Sequence, residues 1–168
     1  QWLLGETDAV TLRVKNIGAN VAVVLLGNNV FFSQDASLNT LMDPLFATIQ
    51  QPVFISPGDS SEFTITRRLV DVDPGLYHYL GQTNAQASLH ETNFSNNEGA
   101  SVDLVNVDMT EILLGGSTNT ALNQGDLRYY KVYVPTPGLD LLVTLDSDQE
   151  FGHNQVYHAH GHVPNVTD

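Results

Sequence analysis

Apolar residues recur at every second position in short stretches of this chain, and clusters of Gly, Pro, Asn and Asp end each stretch. In residues 10–15, Val10, Leu12 and Val14 point one way while Thr11, Arg13 and Lys15 point the other, as a half-buried strand requires. Residues 62–66 repeat the pattern, with Phe63 and Ile65 set against Glu62, Thr64 and Thr66. No long 3.6-residue periodicity accompanies these segments, so the chain is restricted to a β-sandwich or barrel.

The turn residues divide the chain further. A turn over 16–20 precedes a continuously apolar run at 21–26, which predicts a central strand. Gly27, Asn28 and Asn29 predict another turn before the strand at 30–32. Pro57 and Gly58 set up the 62–66 strand, Pro74 and Gly75 open one at 76–80, and 101–107 supply a last strand. Pro44 and Pro52 both lack a ladder donor, so 33–52 is expected to be a long loop with at most a short edge strand. Residues 1–107 thus hold roughly seven strands, as an immunoglobulin-like sandwich needs.

After Asp108 the pattern restarts at 112–114, passes through a polar stretch at 115–123, and continues into 128–134. There Tyr130, Val132 and Val134 alternate with Tyr129, Lys131 and Tyr133, and beyond Pro135 to Gly138 another inward row is expected at Leu141, Val143 and Leu145. The expected fold is all-β: an immunoglobulin-like β-sandwich over 1–107, then a second, incomplete β-sandwich or jelly-roll-like domain over 108–168 that a neighbouring chain would complete.

Charge and cysteine content narrow the partners. Six basic residues stand against 19 acidic ones, for a formal charge of -13, which disfavours nucleic acid and anionic lipid and leaves cations as the suitable small ligands. The absence of cysteine removes disulfides, thiolate metal sites and a cysteine nucleophile. With 42% hydrophobic and 15% charged residues there is material for a core. No apolar stretch is long enough to span a bilayer, so membrane insertion is not expected, and the start at Gln1 is read as a processed product or an excised fragment.

The first unit resembles the CARDB domains, bacterial cell-adhesion-related modules of immunoglobulin-like topology. The resemblance is carried by Gly5 and Glu6 leading into 10–18, by Phe32 to Asp35, by Ser56-Pro57-Gly58, by Gly75-Leu76-Tyr77, and above all by the string from Glu91 to Asn97. Phe94 stands where that family commonly carries a second acidic residue. Residues 129–135, 141–145, Val156-Tyr157, Gly161 and Pro164 are similar to the first half of a bacterial pre-peptidase C-terminal domain, with Gln155 where an acidic residue usually stands. Both resemblances imply exported, accessory modules.

Three sets of residues invite a chemical reading. His158, His160 and His162, with His153 nearby, would share one face of a strand at a spacing of roughly 6.8 Å, so two could hold Zn²⁺ or Cu²⁺ and a third would need strand curvature. An exposed polar face is favoured over a metal site there, since no Cys or carboxylate pair accompanies the run and Asp146 and Asp148 are the nearest acids. Asp35, Glu91, Asn93 and Asn97 could offer oxygen ligands to Ca²⁺, with Asp71 and Asp73 as a separate pair, although turn-forming Asx residues account for them more simply. Asn93 and Asn165 each begin a glycosylation sequon. No Gly-x-Ser-x-Gly, His-Glu-x-x-His or glycine-rich phosphate loop is present, and the glutamates are scattered, so no catalytic residue and no required cofactor are expected.

The function expected from this is a non-catalytic extracellular or cell-surface module, structural or adhesive, self-associating through exposed strand edges in a filament or array. Two alternatives stand beside it: a substrate-binding or spacer region of a secreted peptidase or glycan hydrolase, and a His-rich metal-binding module. Tyr77, Tyr79, Tyr129, Tyr130 and Tyr133 would suit a glycan partner, though alternation assigns about half of them to the core.

Overall fold

The computed structural model describes residues 1–138, 140–146 and 154–164, and among them every regular element is a β-strand. In chain order these are β1 (Trp2–Leu3), β2 (Thr7–Lys15), β3 (Ala22–Ser33), β4 (Leu45–Ile55), β5 (Ser60–Arg68), β6 (Gly75–Gln82), β7 (Glu98–Ala100), β8 (Val105–Asp108), β9 (Thr110–Glu111) and β10 (Tyr130–Lys131). One sheet runs β1-β8-β6-β3-β4 with β7 also on β6, and the opposing sheet is the antiparallel pair β2 and β5.

This is an immunoglobulin-like division of strands. That fold puts its B and E strands in one sheet and its C, F and G strands in the other. Here β2 and β5 take the first two places, and β3, β6 and β8 take the other three. β4 extends the larger sheet beyond β3, and β1 closes its far edge by pairing parallel with β8, Trp2 against Val107.

The two-residue rhythm accounts for the core. Along β2 only Val10, Leu12 and Val14 turn partly away from solvent, and on β5 Phe63 and Ile65 are buried. Phe63 packs with Ala22, Leu26, Val53 and Ile55 near one end of the sandwich. At the other end Trp2, Phe32, Phe46 and Tyr77 gather with Leu4, Leu69 and Val107. Phe32 is fully buried at the centre of that group, its ring 5.1 Å from Phe46 and 5.6 Å from Tyr77, both edge-on. Edge-on ring pairs add about 0.5–1.5 kcal/mol each beyond the area they bury.

Three expectations fail here for identifiable reasons. Gly27, Asn28 and Asn29 make no turn; they lie inside the twelve-residue β3, where Thr48 donates to the Asn29 side-chain oxygen and Thr83 to that of Asn28. The 33–52 region is loop only over 34–44, and the edge strand that follows is not short, since β4 spans eleven residues from Leu45. Pro52 is tolerated because β4 is an edge strand, where one side of the ladder needs no donor. Past Asp108, the two-residue parallel pair β9 and β10 is the only strand pairing among the described residues, and the expected strand at 141–145 is absent, with Leu141, Val143 and Leu145 exposed.

The segment after β9 nevertheless docks on the sandwich. Tyr129 is buried in the same cluster as Trp2 and Leu4, and Val163 packs against that cluster. The Arg128 guanidinium donates to the Gly5 carbonyl, Arg68 pairs with Asp126 at 2.5 Å, and Lys131 pairs with Asp108 at 2.7 Å.

Candidate functional site

The acidic, asparagine-rich string 91–97 sits where β6 leaves the larger sheet, above the polar centre of β3. Gln82 pairs with Asn29 there. On the outer face a ladder of side chains crosses four strands. The Thr48 hydroxyl donates to Asn29 Oδ1 at 2.8 Å, Asn29 Nδ2 donates to Gln82 Oε1 at 3.3 Å, and Gln82 Nε2 donates to Glu98 Oε1 at 3.2 Å. On the inner side Asn28 is fully buried, and its Oδ1 accepts from the Thr83 hydroxyl at 2.6 Å. Asn28 Nδ2 has no partner. Gly27 lets the loop approach, since a Cβ there would lie 3.1 Å from the Gln86 side chain, and the Gly27 carbonyl accepts from Ala85 N at 3.0 Å.

Asn84 organises the loop itself. Its backbone is left-handed at φ 49°, a conformation asparagine tolerates better than most residues. Its amide clasps Leu89 in both directions, donating to the carbonyl at 2.8 Å and accepting from the N–H at 2.9 Å. The same Nδ2 donates to Glu91 Oε1 at 2.6 Å, and Asn97 Nδ2 reaches that oxygen at 3.3 Å. Asn97 also accepts from Thr83 N at 2.7 Å through its carbonyl, which closes the loop at its base.

The four residues considered as a cation loop are therefore split. Glu91 and Asn97 meet on one carboxylate oxygen. Asn93 turns its Oδ1 to its own neighbour Ser95, accepting from the N–H at 3.0 Å and the hydroxyl at 2.7 Å. Asp35 lies past the other end of β3, where Ser33 faces His78, and four residues of strand, about 13 Å, separate that end from Asn29. Its Oδ1 accepts from Ser37 N at 2.7 Å, an Asx turn. Asp71 has the left-handed φ of 57°, and the Asp73 carbonyl accepts from the Tyr77 hydroxyl at 2.9 Å.

His158, His160 and His162 do not share a strand face. Their segment forms no strand, and Gly161 bends it with a φ of 80°. All three are exposed, and His162 Nδ1 lies 3.2 Å from the His160 carbonyl. Among the described residues no three His, Asp or Glu side chains converge as a metal-binding group. His153, Asp148 and the sequon at Asn165 lie outside the described residues.

His78 and Ser101 are each tied to a backbone carbonyl. His78 Nδ1 lies 3.0 Å from the Ser101 carbonyl, which makes that nitrogen the donor, while the Ser101 hydroxyl donates to the Asp103 carbonyl at 2.8 Å. The histidine and serine are thus adjacent without forming a base–nucleophile pair. Burial pushes the hydroxyls of Tyr77 and Tyr79 above the ordinary tyrosine range, and nearby Asp73 and Asp8 respectively reinforce the shift. Sequence reasoning passed over Asn28, Thr83 and Asn84. The signal available was an amide run, Gly27-Asn28-Asn29, embedded in an otherwise apolar stretch.

No family model matches the sequence, and no curated protein matches it. Solved structures similar to it include two of one domain. One is the crystal structure of a CARDB domain from Pyrococcus furiosus in complex with di-metal ions, 17% identical, with a TM-score of 0.45 over 64% of this chain and 78% of that one. The other is a solution NMR structure of the same domain, 16% identical, with a TM-score of 0.43 over 62% of this chain and 82% of that one. No helix among the described residues is long and apolar enough to cross a membrane, which leaves β-barrels unaddressed.

Proposed function

We propose that this chain is a non-catalytic, extracellular structural or adhesive module that works as a repeating unit, joined to its neighbours by strand complementation. The observation that carries the proposal is the asymmetry of the sandwich, in which a two-stranded sheet faces a six-stranded one. A sheet that narrow leaves strand edges with unused N–H and C=O groups, and a strand from another chain satisfies them. The polar groups of the 83–97 loop support a structural role, because they bond one another instead of facing a shared reacting point. The accessory-region and His-metal alternatives have no comparable support in the geometry.

The test is the assembly state of the protein as isolated from its source. Light scattering across a hundredfold concentration range and negative-stain imaging should show species larger than one chain, in linear arrays. A monomer at every concentration, or an intrinsic hydrolase activity that copurifies with it, removes the proposal.

A further inference from the structure

Resting on that function, the structure assigns the joint to a specific pair of elements: we infer that residues 140–146 of one copy add as a strand to the free edge of β2 in a second copy. Two incomplete surfaces on the same chain motivate this. β2 pairs with β5 on one side, and among the described residues no strand pairs on the other. Its inward row reflects the gap, because Val10, Leu12 and Val14 are only half-buried while Phe63 and Ile65 on β5 are buried. The apolar row on β2 lacks a neighbour to cover its outer flank.

The complementary piece is the segment from Asp140 to Asp146. Leu141, Val143 and Leu145 repeat at the strand period, are about half exposed, and join no strand among the described residues of their own chain. Added beside β2, they would continue the row of Val10, Leu12 and Val14 on the same face of the sheet, as pleated neighbours must. Leu142 and Thr144 would then face outward beside Thr11 and Arg13.

Charge selects this edge for a second copy of so acidic a chain. The two strands β2 and β5 carry four of the six basic residues, Arg13, Lys15, Arg67 and Arg68, and only Asp8 and Glu62 of the 19 acidic ones. Arg68 is already paired with Asp126, so the positive excess of this strip rests on Arg13, Lys15 and Arg67, and on a molecule of charge -13 an approaching copy meets less repulsion there than elsewhere. Because donor and acceptor are different surfaces, the contact is head-to-tail and propagates as a ring or filament.

The natural absence of cysteine makes the test clean. A Thr11→Cys copy is mixed with a Leu142→Cys copy, and separately with a Thr144→Cys copy, in mildly oxidising buffer. Cross-strand neighbours lie close enough for a disulfide, so a covalent heterodimer is expected in at least one mixture. Val143→Pro, placed in an exposed segment outside every strand, should abolish assembly with an unchanged circular-dichroism spectrum. Larger assemblies that give neither heterodimer and persist in Val143→Pro overturn this joint but leave the repeating-unit function standing. A wild-type monomer overturns both. An intrachain disulfide in the monomeric Thr11→Cys/Thr144→Cys double variant also overturns the joint, since the segment would then serve its own edge.

Discussion

The Thr83 hydroxyl, at the exit of β6, donates to Oδ1 of the fully buried Asn28 in the middle of β3 at 2.6 Å. That one bond ties the polar loop to the interior of the larger sheet. Thr83→Val keeps the shape and leaves the Asn28 oxygen without a donor, so it should cost about 1–3 kcal/mol. Urea unfolding should show a lower midpoint at an unchanged slope; an unaltered midpoint would mean the bond contributes nothing.

Phe32 stands at the hub of the aromatic cluster with Phe46, Tyr77 and Tyr79. Truncation to alanine removes the buried ring and opens a cavity, and should destabilise the protein by about 3–5 kcal/mol. Phe94→Ala, in an exposed loop, serves as the control and should stay within about 0.5 kcal/mol. Thermal denaturation of the two variants side by side checks the contrast.

Gly5 adopts a φ of 82°, and a Cβ there would stand 2.5 Å from the Leu127 carbonyl oxygen. Gly5→Ala should therefore cost about 1–3 kcal/mol through backbone strain, before the clash is counted. The damage should concentrate at the contact with 126–131, and hydrogen exchange should speed up at Ile112, whose N–H bonds the Lys131 carbonyl at 2.9 Å. Unchanged exchange at that amide would count against the segment's being pinned at Gly5.

The two ion pairs that hold this segment predict a pH dependence. The Lys131 hydrogen bond holds the Asp108 carboxyl below its ordinary range, and the Asn123 N–H followed by Arg68 does so for Asp126. A carboxyl lowered in the folded state stabilises above its unfolded pKa, and that contribution is lost as pH falls through the folded value. Lys131 is raised by Asp108, so its share is present below the unfolded lysine value and lost as pH rises through the folded one. Docking of the segment, followed by Tyr129 fluorescence or exchange, should weaken below the carboxylate range and again at strongly alkaline pH. Asp108→Asn should flatten part of the acid limb.

Much of the fold was legible because alternation is local physics. Val10, Leu12 and Val14, or Phe63 and Ile65, announce a half-buried strand from five or six residues alone. The Gly27-Asn28-Asn29 run misled for the converse reason. Its turn propensity is local, and the partners that overrule it, Thr48, Gln82 and Thr83, lie 19 to 55 residues away in the chain. Glu91 and Asn97 could be picked from the sequence as a polar cluster, whereas their common dependence on Asn84 could not, since it follows from a left-handed turn the residue types do not announce.

By itself the sequence determined the all-β character, the burial rhythm of individual strands and the acidic balance, since each depends on neighbouring residues or on plain composition. Tertiary structure alone decided which strands pair, that buried Asn28 continues a strand, that Asp35 stands apart from Glu91, and that Tyr129 joins the core of Trp2. Those outcomes turn on contacts between residues distant in the chain, where a donor finds its acceptor or a ring its cavity only after the sheets have stacked.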